Sequence, residues 1–208
     1  IEGLPHRHGL TIGELAYFLY EEMHAKFPLH IISYMASPVN KELMPWSIPP
    51  SPNFPGLFTA HFYSGQCLWE GTNISEGRGT TRPFELFGAP FMEPLQGYNS
   101  YSNYSNWNDK ENPIYDPGVY IRWLKFIPAF HKYANECCFG FHLMLNANMQ
   151  YHSLSHNLRI IRFLHDNCDG FKFREGKYEA GNEKTAIELL LGDKDLIDYV
   201  KGEGLWSD

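Results

Sequence analysis

The chain lacks any long apolar run. No stretch of its 208 residues reaches the roughly 18 apolar residues that a membrane-crossing helix needs, so no membrane span is expected. Basic runs are missing too. Lys plus Arg is 17 against 24 for Asp plus Glu, a formal charge of −7. Nucleic-acid binders show basic patches, so no nucleic-acid partner is expected. Cysteine is sparse, with four residues at 67, 137, 138 and 168 and no C-x-x-C. Free buried thiols are the ordinary reading of such residues. A bridge from Cys67 to Cys137 or Cys138 is the alternative in an oxidising compartment. His6 and His8 have no third ligand at useful spacing, so no metal site is expected. The nucleophile elbow G-x-S-x-G, the P-loop and the dinucleotide fingerprint are absent, and no cofactor is expected.

What is present fits a globular chain. The hydrophobic share is 43%, an ordinary value. A chain of this length buries on the order of 70% of its unfolded surface, and one domain over 1–208 is expected. Aromatics make up 16%. They serve either a core heavy in Phe and Tyr or surfaces that stack on sugar rings.

Periodicity outlines the elements. Residues 11–27 carry Ile12, Leu15, Ala16, Leu19 and Met23 at helical spacing, opened by a capping box of Thr11 and Glu14. Leu29 to Met35 reads as a buried strand between Pro28 and Pro38. Five prolines in 44–56 make an extended connector. Residues 57–69 fit helix and strand equally. Residues 96–117 are a loop of Asn, Ser, Tyr and Asp, either an ordered flap or an insertion. Val119 to Phe126 and Cys138 to Leu145 read as strands, Ser153 to His165 as an amphipathic helix, and Phe171 to Phe173 as a short strand. Asn182 and Asp193 are N-caps for closing helices over 183–191 and 194–201. The fold class is α+β: a mixed sheet with flanking helices and a glycine-rich site loop.

That loop is the densest chemistry in the chain. Residues 70–90 hold Glu70, Glu76 and Glu85, Arg78 and Arg82, Asn73 and several hydroxyls, kept supple by Gly71, Gly77 and Gly79. A segment that only had to pack would not need so many hydrogen-bonding groups. Glu70 follows Leu68 and Trp69. It is read either as an acid whose apolar neighbourhood raises its pKa or as a carboxylate anchoring the loop. Glu85 is a second catalytic candidate, or a brace for Arg78 or Arg82. Glu76, between Ser75 and Gly77, reads as solvated. Asn73 and Thr80 can bond sugar hydroxyls or turn the backbone. Arg7 and His8 precede the first helix, whose Glu14 the capping box already explains. Asn73-Ile74-Ser75 and Asn103-Tyr104-Ser105 fit the N-glycosylation pattern.

Three stretches, in order, resemble the NamZ-type exo-β-N-acetylmuramidases. They are Pro5-His6-Arg7-His8-Gly9 with Gly13-Glu14; Ser51-Pro52-Asn53-Phe54-Pro55; and Glu70-Gly71-Thr72-Asn73 with Gly77-Arg78-Gly79-Thr80, Pro83-Phe84-Glu85 and Gly88-Ala89-Pro90. The resemblance covers nearly all of this chain but only the second half of the family's length. It implies a Rossmann-like N-terminal half, or a partner chain, on the other side of an interdomain active-site cleft. The implied activity is removal of terminal N-acetylmuramic acid from peptidoglycan fragments. Glu70 and Glu85 would be the catalytic carboxylates, and Arg7, His8, Glu14, Asn73, Arg78 and Thr80 the substrate contacts. A guanidinium, Arg78 or Arg7, would hold the sugar's lactyl carboxylate. Such a substrate implies an exported protein, whether secreted, periplasmic or lysosome-like. The alternative is a non-catalytic glycan-binding or structural subunit derived from that family.

Overall fold

The computed structural model describes residues 8–33, 49, 51–97, 107–147, 149–179 and 183–204. The chain, read from sequence as one domain, divides into two compact units. The smaller is Gly3–Pro45 and the larger is Ile1–Glu2 with Trp46–Asp208.

The smaller unit holds helix α1, Ile12–Glu22. The capping box forms as the sequence indicates: the Glu14 amide donates to the Thr11 hydroxyl at 3.2 Å, and the Thr11 amide donates to the Glu14 carboxylate at 2.7 Å. Those contacts hold the Glu14 carboxyl below its ordinary pKa, the backbone hydrogen bond contributing most. The strand expected from Leu29 is not there. Residues 29–33 have no regular structure, and Ile32 is 94% exposed. A strand exists only if another edge accepts its ladder, and an apolar run cannot supply that edge. Residues 34 and 35 lie outside the described residues.

The larger unit opens on a turn. The Phe54 amide donates to the Ser51 carbonyl at 2.9 Å, and the Asn53 amide to the Ser51 hydroxyl at 3.2 Å. Residues 57–69, ambiguous in sequence, form helix α2, Leu57–Gln66, followed by a 3₁₀ turn over Cys67–Gly71. Strand β1, Leu86–Ala89, ends the site loop and leads into a 3₁₀ segment, Pro90–Gly97. Strands β2, Val119–Phe126, and β3, Cys138–Leu145, stand where the sequence places them. The sheet is antiparallel throughout, in the order β1-β3-β2. Helix α3, Ser153–Asn167, buries Leu154, Leu158, Ile161 and Leu164 and packs on α2. Helices α4, Ala186–Leu191, and α5, Lys194–Val200, close the unit. Asp193 caps α5 as expected. Helix α4 starts later than expected, on a second capping box of Thr185 and Glu188, and Asn182 lies outside the described residues. Phe173 makes one bridge, to Thr72, instead of a strand. The class is α+β, as expected.

Part of the aromatic excess goes inward. Trp69 stacks on Phe87 at 4.7 Å, and Phe141 takes Trp107, Trp123 and Phe87 at 4.7, 4.9 and 5.4 Å. Below α2 runs a buried polar chain. Trp69 donates to Gln66, Gln66 to Asn157 of α3, and Asn157 to the Gly65 carbonyl, at 2.7, 3.0 and 2.7 Å. With every member satisfied, this chain sets the register of the two helices at little desolvation cost. The four cysteines are free thiols.

Candidate functional site

An open cleft of about 850 Å³ lies in the larger unit. Its residues come from four places: Asn53 in the opening turn, Glu70 to Arg78 of the site loop, Phe130 to Tyr133 in the β2–β3 connection, and Arg174 with Tyr178 beyond α3. These segments are bound to one another. The Asn73 side chain donates to the Gly170 carbonyl at 2.8 Å and accepts the Lys172 amide at 2.9 Å. The Arg174 amide donates to the Gly71 carbonyl at 2.8 Å. Asn73 thus lines the cleft while its amide group is spent on backbone.

Glu70 sits at the end of the 3₁₀ turn, half-buried, and lines the cleft. Its Oε1 accepts from Arg78 Nη2 at 2.7 Å, and its Oε2 accepts the Tyr178 hydroxyl at 2.6 Å. The expectation of a raised pKa is overturned. Burial does push the Glu70 carboxyl upward, but Tyr178, Arg78 and the charge of Lys132 together hold it below its ordinary value. Glu70 is therefore an anion with no proton to give. The hydrogen bond to Glu70, then burial, push the Tyr178 phenol up to about 12.

Glu76, expected in solvent, is fully buried. Its Oε2 accepts from Lys132 Nζ at 3.0 Å. Arg78 Nε and His131 Nδ1 approach its Oε1 at 2.9 and 3.0 Å, within ion-pair distance but off the hydrogen-bonding axis. Lys132 also donates to the Trp69 and Ile74 carbonyls, each at 2.8 Å. Burial depresses the Lys132 ammonium, and the Glu76 charge opposes this without restoring the ordinary value. A buried carboxylate under the loop thus gathers the two cations that shape the cleft floor. Arg78 bridges both glutamates and lies 5.0 Å over the Phe84 ring.

Of the remaining expected residues, Glu85, Thr80, His8 and Glu14 have structural partners. Glu85 does not line the cleft. Its carboxylate is buried between the Thr59 hydroxyl at 2.8 Å and Arg82 at 3.1 Å, so bracing is what it does. The Thr80 hydroxyl closes a turn on the Gly77 carbonyl at 2.6 Å. His8 and Glu14 belong to the smaller unit, where His8 Nδ1 accepts the Leu10 amide at 3.0 Å. Arg7 lies outside the described residues. Sequence reasoning missed Phe130, His131, Lys132, Tyr133, Arg174 and Tyr178. Their one signal was a clustering of cations with aromatics, in Phe130-His131-Lys132-Tyr133 and at the four-residue spacing of Arg174 and Tyr178. Among the described residues no three His, Cys, Asp or Glu side chains are grouped to hold a metal ion, and no helix is long and apolar enough to cross a membrane.

Fold and site together define an α+β domain whose glycine-rich loop floors a cation-rich, aromatic-walled cleft. The family described as exo-beta-N-acetylmuramidase NamZ, C-terminal, matches residues 61–207, and the chain belongs to that family. It is 33% identical over 204 residues to peptidoglycan beta-N-acetylmuramidase NamZ of Bacillus subtilis (strain 168), covering 94% of this chain and 47% of that protein. The chain therefore spans about half the length of the curated relative it matches. A solved DUF1343 family protein of Bacteroides fragilis NCTC 9343 shares the fold, with a TM-score of 0.56 at 22% identity, over 80% of this chain and 45% of that one.

Proposed function

We propose that this chain supplies the glycan-gripping wall of an exo-β-N-acetylmuramidase that removes terminal N-acetylmuramic acid from peptidoglycan fragments. An N-terminal half or partner chain supplies the opposite wall. The observation that carries this reading is Glu70, a carboxyl group held at the cleft by Arg78 and Tyr178. Glycoside cleavage uses one group that protonates the leaving oxygen and one carboxylate that faces the positive charge growing at the anomeric carbon, attacks it, or activates water. Glu70 suits the second role only. The proton donor then comes from the other wall. This chemistry needs no cofactor, and its substrate belongs to an exported setting.

The experiment is release of a chromophore from a β-N-acetylmuraminide by the full protein, wild type against Glu70→Gln. The expected result is a kcat lower by about 10²–10⁴-fold, the contribution of a well-placed charged group, with little change in melting temperature. Undiminished turnover by the variant removes Glu70 from the chemistry. A second reading has its own observation: Glu70 and Glu85 are both paired with arginines, which suits a non-catalytic glycan-binding subunit. Sugar binding without turnover by the full wild-type protein would establish that reading instead.

A further inference from the structure

Several cations border the cleft, and most are already committed. Lys132 spends its ammonium on two carbonyls and Glu76. Arg78 is shared between Glu70 and Glu76, and His131 Nδ1 faces Glu76. Arg174 differs. It lines the cleft, yet among the described residues no carboxylate lies within ion-pair distance of its guanidinium. Its position is nevertheless fixed. The Arg174 amide is bonded to the Gly71 carbonyl, its neighbour Phe173 bridges Thr72, and its guanidinium lies 5.4 Å over the Tyr178 ring. Tyr178 is in turn pinned to Glu70. A planar fork held over an aromatic ring, with no hydrogen bond from its guanidinium among the described residues, is arranged for bidentate contact with a carboxylate.

We propose that Arg174 is the specificity-determining residue of this cleft: its guanidinium pairs with a carboxylate carried on the sugar, so the cleft takes an acidic amino sugar and rejects the neutral one. The inference rests on the reading of the cleft as a sugar site, and it gives the carboxylate contact expected of Arg78 or Arg7 to Arg174. Both sugars carry the acetamido group; in the acid a lactyl ether replaces one ring hydroxyl, and its carboxylate is the only charge that separates them. A charge-assisted pair at a half-open site favours the acid by about 10-fold or more. That preference narrows as salt screens it over a Debye length of roughly 10 Å.

The test is direct binding of N-acetylmuramic acid and of N-acetylglucosamine to the full protein by calorimetry at low salt, for wild type, Arg174→Gln and Arg174→Lys. The expected result is a preference for the acid of about 10-fold or more in wild type. Arg174→Gln brings the ratio to near one with an unchanged melting temperature, Arg174→Lys keeps part of it, and added salt narrows it in wild type. An unchanged ratio in Arg174→Gln overturns the inference, as does a wild type that binds both sugars alike or neither. Turnover of the chromogenic muraminide is measured alongside. Its absence together with an Arg174-dependent preference sinks the proposed hydrolase and leaves this inference standing. Turnover with a preference indifferent to Arg174 does the reverse.

Discussion

Replacing Glu76 by glutamine keeps the side chain's shape and removes its charge from beneath the site loop. Lys132 and Arg78 lie 3.0 and 2.9 Å from the carboxylate, which is fully buried. At about 3 Å and an effective dielectric of about 20, each pair attracts by about 5 kcal/mol before desolvation. The desolvation of three ionised groups offsets most of that sum. What remains is the cost of leaving a buried cation unpaired, about 3–5 kcal/mol. For a protein of this size that lowers the melting temperature by about 6–20 °C. Urea unfolding and calorimetry measure the loss. The variant should also depress Lys132 further, since the Glu76 charge and hydrogen bond now oppose the effect of burial. The folded state then releases the lysine proton at lower pH than the unfolded chain. The variant's deficit is therefore full below the lowered folded value and shrinks as pH rises through it toward the ordinary 10.5. A Glu76→Gln protein within about 0.5 kcal/mol of wild type would refute the reasoning, because it would make the cluster worth no more than a surface pair.

Tyr178→Phe removes one donor from Glu70 while leaving Arg78 in place, so the folded-state pKa of Glu70 moves up from its lowered value. The stability that Glu70 contributes is present above its ordinary carboxyl value and is lost as pH falls through the lowered folded value, so acid unfolding of the variant begins at higher pH; coincident acid transitions would contradict the Glu70–Tyr178 bond. Gly65→Ala places a methyl 2.1 Å from the Ser153 carbonyl oxygen, at the closest approach of α2 and α3. The helices must part, at a cost of about 1–3 kcal/mol or more in denaturant unfolding, and a neutral result would mean that they do not meet there.

Much of the larger unit was legible because its signals are local. The alternation in Val119 to Phe126 and the helical spacing of Leu154, Leu158, Ile161 and Leu164 depend on neighbours a few residues away, and β2, β3 and α3 stand where those patterns put them. The capping box of Thr11 and Glu14 was legible for the same reason, and that of Thr185 and Glu188 could have been. The site was legible only in part. Glu70, Asn73 and Arg78 do come together at the cleft, but what Glu70 does there is set by Tyr178, which is 108 positions away. Local context also misjudged Glu76. Serine and glycine neighbours suggest solvent, while Lys132, 56 positions on, supplies the charge that makes burial tolerable. Leu29 onward shows the opposite error, where an apolar run was read as a strand and residues 29–33 form none.

The wall opposite the site loop explains how these distant pairings are kept in place. His131, Tyr133 and Asn135 all adopt left-handed backbone, at φ 72°, 57° and 64°. Asparagine and histidine are enriched in that region, whereas tyrosine adopts it less readily. Strain of this kind costs about 1–3 kcal/mol per residue and persists only where the surroundings over-determine it. Here they do. The Asn135 amide donates to the Pro128 carbonyl and the Glu136 amide to the Tyr133 carbonyl, at 2.8 and 2.9 Å, closing the connection on itself. The Ala129 amide donates to the Gly79 carbonyl at 2.9 Å, tying it to the site loop. Gly79 is required there twice over: its φ is 82°, and a Cβ would stand 2.7 Å from the Phe130 nitrogen. Lys132 then drives its ammonium into the floor, between Trp69, Ile74 and Glu76. The contacts that hold the strained turn are thus the same ones that fix the cleft's cations, so floor and wall form one preorganised body. A ligand entering it does not have to order these groups, and that part of the entropic cost of binding is met when the chain folds.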